Sequence, residues 1–163
     1  MDTGQKLPNY HFTATGNLQG NLADYRGQWL ILYFYPKDAT PGCTTEGQNF
    51  RDLGPEFSAL NTVIFGISRD SLQAHENFKR KQQFPFELIS DADETLCQML
   101  DVIKMKNMYG KQVRGIERST FLIDPEGVIR HIWRKVKVEG HAQEVLQTLK
   151  NLQQQSGITA SDI

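Results

Sequence analysis

The sequence predicts an α/β fold: a mixed central β-sheet flanked by helices, opened by an N-terminal β-hairpin. Three observations predict it. Trp29 to Tyr35 and Val63 to Ser68 are near-continuous apolar runs, the pattern of strands buried on both faces of a central sheet, and each is followed by residues at helical spacing. Ser119 to Ile123 and Val128 to Lys135 read as two strands joined by the turn sequence Asp124-Pro125-Glu126-Gly127. A stretch opening at Gly140-His141, with Val145, Leu146, Leu149 and Leu152 apolar, closes the fold as a helix.

The elements follow in order. Tyr10 to Thr13 and Leu18 to Leu22 flank Ala14-Thr15-Gly16-Asn17, a hairpin turn. After the Trp29–Tyr35 strand, Thr40 is placed to cap a helix with Pro41 at its first position, where a missing N–H costs nothing. Phe50, Leu53, Phe57 and Leu60 mark that helix's buried face, and Gly54-Pro55 predicts a break in it. Asp70 with Gln73 three residues on reads as a capping box for a helix running to about Gln82. Phe86 to Ile89 is a short strand, and Asp91 to Leu100 a short helix with Leu96, Cys97 and Leu100 on one face. From Gln153 the tail is polar and is expected to fray.

Length and composition bound the function. The 163 residues fit one domain, with a core over about residues 4–152 and a polar C-terminal tail. A net charge of −1, with no basic stripe, gives no electrostatic reason to expect nucleic acid or an anionic membrane as partner. No apolar run approaches the ~20 residues that span a bilayer, and Met1 to Lys6 lacks the apolar core of a signal peptide. Two cysteines, Cys43 and Cys97, make no disulfide framework and point to a reducing compartment, with the cytoplasm as the expected location.

Cys43 is the residue with the strongest chemical signal. It lies beyond the end of a buried strand, where open α/β sheets place their ligands, and at the start of a helix, which favours a thiolate. Ionisation alone is a small effect. A free thiol is about 3% thiolate at neutral pH, so full ionisation is worth about 2 kcal/mol, against the millionfold accelerations usual for enzymes. Catalysis therefore needs groups that orient the substrate and meet developing charge. The Gly42 and Cys43 amides, the Thr40 hydroxyl, Pro36 as a shield against water, and Arg118 at a strand start are the candidates, with Gly42 leaving the approach open. Taken singly, each has a plainer reading: a cysteine as a small core hydrophobe, Pro and Gly as turn residues, an arginine as surface charge. A buried structural cysteine has no use for a Gly-opened turn, so the segment as a whole points to chemistry.

Pro36-x-x-x-Thr40-x-x-Cys43 resembles the active-site motif of peroxiredoxins, and Tyr33 to Glu46 (YFYPKDATPGCTTE) resembles their bacterioferritin comigratory protein, or peroxiredoxin Q, branch. Lys106 to Lys111, Gly115 to Asp124 and Trp133 to Ala142 are similar to the same branch, so the resemblance covers about Gly4 to Leu152. It implies a thioredoxin-like fold and a thiol peroxidase that reduces hydrogen peroxide and organic hydroperoxides in antioxidant defence. Carried over, Cys43 is the peroxidatic nucleophile, Thr40 bonds thiolate and peroxide, Arg118 stabilises the charge, and Pro36 walls the pocket. No metal, haem or flavin is implied. The resemblance also implies a monomer and a reductant that is thioredoxin, glutaredoxin or a small thiol.

The chain departs from that pattern in one respect. Many members of the branch carry a resolving cysteine five residues after the peroxidatic one, where this chain has Gln48; others carry it on the next helix, and Asp70 to Gln82 contains none. A one-Cys cycle with an external thiol is therefore expected. Resolution by Cys97, within the chain or from another subunit, stays as the alternative, although Cys97 sits among leucines at helical spacing like a packing residue. Outside this class, a redox sensor or chaperone-like protein would oxidise about once rather than turn over. A thioredoxin-type reductase is excluded because Glu46 stands where a C-x-x-C motif needs its second cysteine. A Cys–His hydrolase requires one of His11, His75, His131 or His141 beside Cys43 in space, and their wide spacing offers no close metal-ligand pair. Phe84-Pro85-Phe86 and Met105 to Tyr109 are read either as an apolar pocket mouth or as packing and loop residues.

Overall fold

The β3 strand, Trp29–Phe34, is buried along its whole length and organises everything around it. Its side chains alternate between two faces. Leu30, Leu32 and Phe34 enter one apolar cluster, and Trp29 and Ile31, with Tyr33, the other. The computed structural model describes residues 1–155 of the chain. In order, the elements are β1 (His11–Ala14), β2 (Leu18–Asn21), a 3-10 turn (Leu22–Tyr25), β3, α1 (Pro41–Asp52), α2 (Gly54–Ala59), β4 (Thr62–Ser68), α3 (Leu72–Gln82), β5 (Glu87–Ser90), α4 (Thr95–Met99), β6 (Ile103–Met108), β7 (Lys111–Ile116), β8 (Ser119–Ile123), β9 (Ile129–Trp133) and α5 (His141–Gln155).

The seven-stranded sheet has the order β2-β1-β5-β4-β3-β8-β9. β3 pairs parallel with β4, and β4 with β5, as two βα units require, whereas β8 runs antiparallel to β3 and to β9. The predicted mixed sheet, the N-terminal hairpin (β1 with β2) and the break at Gly54 are all present. One cluster gathers Cys43 and Phe50 of α1, Phe57 of α2, Phe78 of α3, and Val145, Leu146 and Leu149 of α5. The other gathers Phe12, Leu22, Leu96, Cys97, Leu100 and Val102. Each fully buried Phe or Leu stabilises the fold by roughly 1.5–3 kcal/mol.

Close packing places α1 against the aromatic residues after α3. Phe84 and Phe86 are buried and stacked on each other, with centroids 5.0 Å apart. They are core, not a pocket mouth. A Cβ on Gly47 would meet Phe84 Cζ at 2.3 Å, so only glycine lets α1 approach this closely.

Several local readings are corrected. Thr40 does occupy the N-cap position of α1, but its hydroxyl donates to the Lys37 carbonyl at 2.7 Å instead of capping the helix. Ser71, not Asp70, caps α3, accepting from the Ala74 amide at 3.2 Å; Asp70 is engaged by Ser68 and by the Asp38 amide. The α4 helix is shorter than predicted, because Asp91 stands outside it and accepts from the Leu96 and Cys97 amides while Glu94 turns left-handed at φ 64°. Ile103 to Ile116, which contains the residues read as pocket mouth or loop, forms a separate two-stranded sheet, β6 with β7. Gln153 does not fray: it is buried within α5 and donates to the Leu60 carbonyl at 2.9 Å. The rest of the tail, residues 156–163, lies outside the described residues.

Candidate active site

The chain leaves β3 at Tyr35, crosses the loop from Pro36 to Thr40 and enters α1, so Cys43 falls in the first helical turn. Its side chain points down into the apolar cluster and is 2% exposed. Amides in this turn have no partner inside the helix. With no side chain capping it, the helix start keeps donors for an incoming oxygen or anion. Gly42 is exposed, and a Cβ there would come within 3.3 Å of Arg118 Nη2, so glycine keeps open the path between arginine and thiol. Pro36 is half-buried at the far end of the same loop, and Thr40, also half-buried, precedes the helix.

Arg118 reaches this point from a distant part of the sequence. It immediately precedes β8, whose first residue, Ser119, pairs with Phe34 at the exit of β3. Sheet pairing thus delivers Arg118 to the loop that carries Cys43. Its Nη2 donates to Cys43 Sγ at 3.4 Å and its Nη1 to Glu46 Oε1 at 2.6 Å. Four of the sequence-predicted residues, Cys43, Gly42, Thr40 and Arg118, therefore gather at one helix start. Cys97 does not join them. It lies in the cluster on the other side of the sheet, fully buried beside Asp91, and burial, then Asp91, push its thiol far up.

Two neighbours of the thiol are not singled out by the sequence reading. Glu46, three residues after Cys43 and so on the same helical face, is 1% exposed. One of its oxygens takes Arg118 and the other has no hydrogen-bond partner among the described residues, like the nearby buried Tyr33 hydroxyl. Lys106 of β6 donates through Nζ to the Ile116 carbonyl. Burial, and then the neighbouring Arg118, lower its pKa, while Glu117 and Cys43 oppose the shift, which places a second cation within electrostatic reach of the thiol. Both residues fall within the segments that carry the resemblance, but their roles depend on burial and on a hairpin that the pattern does not reveal.

Burial pushes the Glu46 carboxyl up to about 7, against the lowering effect of Arg118. Between its ordinary value of 4.5 and about 7 the folded protein holds a proton that the unfolded chain has lost, so stability falls as pH rises through this window. The full effect is on the order of 3 kcal/mol. Urea unfolding at about pH 5 and about pH 8 is expected to show this loss in the wild type. Glu46→Gln keeps the hydrogen bond to Arg118 without the charge and is expected to lack the slope.

The histidines are committed elsewhere. His75 bonds Asp38 and Ile89, and His141 Nε2 lies 2.8 Å from Thr120 Oγ1. Burial lowers His141 to about 4, so it is neutral at physiological pH. Cys43 has no histidine partner among the described residues, which removes the geometric basis for a Cys–His hydrolase.

A buried thiol at a helix start, beside an arginine and over a mixed thioredoxin-like sheet, defines a class: the thiol-dependent peroxidases. The chain belongs to the AhpC/TSA family, whose model matches residues 3–132. It is 60% identical over 138 residues to the peroxiredoxin Bcp of Xanthomonas campestris, covering 85% of this chain and 86% of that protein. A solved structure of the Xanthomonas campestris bacterioferritin comigratory protein, concerned with its alkyl peroxide reduction activity, matches with a TM-score of 0.86 and 54% identity over 92% of this chain and 98% of that one. A yeast mitochondrial one-Cys peroxiredoxin, studied for thiol resolution through glutathione/thioredoxin systems, matches with a TM-score of 0.81 and 27% identity over 96% of this chain and 78% of that one. The protein is a peroxiredoxin-type peroxidase that uses a thiol reductant, and no helix among the described residues is long and apolar enough to cross a membrane.

Proposed function

We propose that the protein reduces hydrogen peroxide and organic hydroperoxides through Cys43 alone and is recycled by an external thiol. The observation that carries this reading is the Cys43 thiol, buried in the first turn of α1 and 3.4 Å from Arg118 Nη2. The thiolate attacks the terminal oxygen of the peroxide. The S–O bond forms as the O–O bond breaks, sulfur loses two electrons, and the leaving oxygen takes a proton to depart as water or an alcohol. Arg118 and the first-turn amides meet the negative charge on the two oxygens. The Thr40 hydroxyl, which donates its hydrogen bond to the Lys37 carbonyl, accepts from the peroxide O–H. Pro36 shields the pocket from water.

The sulfenic acid on Cys43 then condenses with an external thiol to a mixed disulfide and water, and a second thiol releases Cys43 reduced. Several features support this route over Cys97. Gln48 and α3 lack the local cysteine, the sheet separates the clusters that hold Cys43 and Cys97, and Cys97 is buried with its thiol strongly disfavoured as a thiolate. Thioredoxin, glutaredoxin or a small thiol supplies the electrons; in the yeast mitochondrial one-Cys relative, thiol resolution is via glutathione/thioredoxin systems. We read the whole chain as a single catalytic domain that works as a monomer in the cytoplasm.

A peroxide-consumption assay with each of these three reductants tests the reading. Continuous consumption over many equivalents per enzyme is expected with at least one of them. A single stoichiometric burst with all of them would favour the redox sensor.

A further inference from the structure

The loop that carries Pro36 and Thr40 is pinned from beneath by groups outside the active-site motif. Asp38, at its centre, is nearly buried. Its Oδ1 accepts from the Tyr35 hydroxyl at 2.6 Å and its Oδ2 lies 2.6 Å from His75 Nδ1. Its own amide donates to Asp70 Oδ2 at 3.0 Å, and Asp70 is held in turn by the Ser68 hydroxyl at 2.5 Å. The next residue, Ala39, has φ 63°, a left-handed conformation that a non-glycine residue keeps only when its surroundings impose it. Thr40 follows directly.

His75 is the fixed end of this arrangement. It lies on α3, is 0% exposed, and its Nε2 faces the Ile89 carbonyl of β5 at 2.9 Å. A carbonyl only accepts, so Nε2 carries a hydrogen. The carboxylate of Asp38 faces Nδ1, so a proton lies between these two as well. The Asp38, Asp70 and His75 ligand atoms lie within 4.8 Å of one another, a spacing that a metal ion could use. Both nitrogens of His75 and both oxygens of Asp38 are already taken by protein groups, so the trio is complete as a hydrogen-bonded support.

We propose that His75 is a positioning residue for peroxide reduction: through Asp38 it holds the Pro36–Thr40 loop, and so the Thr40 hydroxyl, in the geometry that receives the peroxide. Orientation of a substrate against a nucleophile is a large rate effect, and a displacement of about 1 Å can cost about 100-fold. Thiolate formation at Cys43 depends on Arg118 and the helix start, which His75 does not touch. Loss of His75 therefore slows reaction with peroxide without slowing reaction with a reagent that needs no orientation. The inference rests on the roles proposed above for Cys43 and Thr40.

Side-chain amides separate the two ends of the imidazole. Asparagine places its N–H₂ where Nδ1 lies, keeping the donor to Asp38; glutamine places it where Nε2 lies, keeping only the bond to Ile89. Stopped-flow oxidation of Cys43 by hydrogen peroxide is compared with its alkylation by iodoacetamide, below the unfolding transition of each variant. His75→Gln is expected to lower the peroxide rate at least about tenfold with alkylation changed by less than about twofold, and His75→Asn to restore most of the peroxide rate. Asp38→Ala removes both carboxylate oxygens while leaving His75 bonded to the Ile89 carbonyl, and is expected to behave like His75→Gln, giving the same readout if that variant does not fold. The Asp38→Ala/His75→Gln double variant is expected to be no slower than the slower single one. Unchanged peroxide rates in folded variants, equal falls in both reactions, or multiplicative losses in the double variant would each overturn the inference. Cys43→Ser in parallel separates the two levels: retained peroxidase activity there refutes the Cys43 reading itself, whatever the His75 variants do.

Discussion

Cys43→Ser is expected to lose peroxidase turnover completely, while Cys97→Ser retains most of it. A serine hydroxyl is far too weakly acidic to supply an anion in this pocket, and no other thiol among the described residues stands beside Arg118 to take over the attack. Cys97 is fully buried in the opposite cluster, so its replacement changes packing, not chemistry. Losing one sulfur from a tight core costs stability, and Cys97→Ser also puts a hydroxyl among Leu96, Leu100 and Val102. A fall in the unfolding temperature of Cys97→Ser with turnover preserved at 25 °C is the expected combination. It is checked by thermal unfolding and by peroxide consumption with the same reductant.

Arg118→Met is expected to lower kcat/KM for peroxide by about 100- to 1,000-fold, the loss typical of removing a preorganised donor aimed at developing charge. Three effects act together. The substitution removes the donor to Cys43 Sγ and the charge that meets the departing oxygen. It also leaves Glu46 without its partner inside the core. The third predicts how the loss responds to pH. With Arg118 gone, nothing offsets the burial of the Glu46 carboxylate, so Glu46 stays protonated to higher pH than in the wild type. The double variant Arg118→Met/Glu46→Gln is therefore expected to be more stable than Arg118→Met above neutral pH, while remaining just as impaired with peroxide. Steady-state kinetics and urea unfolding check the two halves separately.

The elements that build the site were legible in the sequence because they are the most strongly patterned. β3 is a continuous apolar run, α1 opens with Thr40-Pro41, and β8 follows Arg118 with five buried residues. The β6–β7 hairpin was not legible. Its strands carry Lys104, Lys106, Lys111 and Arg114, its tip residue Tyr109 is 100% exposed, and it has no continuous apolar face to give a period of two. What holds it is tertiary: Arg114 forms two hydrogen bonds to Glu94, each 2.6 Å long, which also binds Arg69. Asp91 misled the reading of α4 for a related reason. An acid that accepts helix amides from outside looks, in sequence, like the helix's first residue.

The same distinction applies to the site. Cys43, Thr40, Gly42 and Arg118 are visible as residue types at fixed places relative to a strand end or a helix start. Glu46 becomes chemically interesting only because it is buried with one oxygen unpaired among the described residues, and His75 because both of its nitrogens face acceptors in the folded chain. Burial and pairing across 37 residues, as between Asp38 and His75, are products of the sheet order and have no local signature.

The central claim is that Cys43 works without a cysteine partner in its own chain. Peptide mapping by mass spectrometry under non-reducing conditions, after one equivalent of peroxide and with or without a small thiol, tests it most directly. The expected result is a sulfenic acid on Cys43, trapped by a nucleophilic probe, that becomes a Cys43 mixed disulfide when the thiol is present, with Cys97 reduced throughout. A Cys43–Cys97 disulfide that forms at the rate of turnover would contradict it.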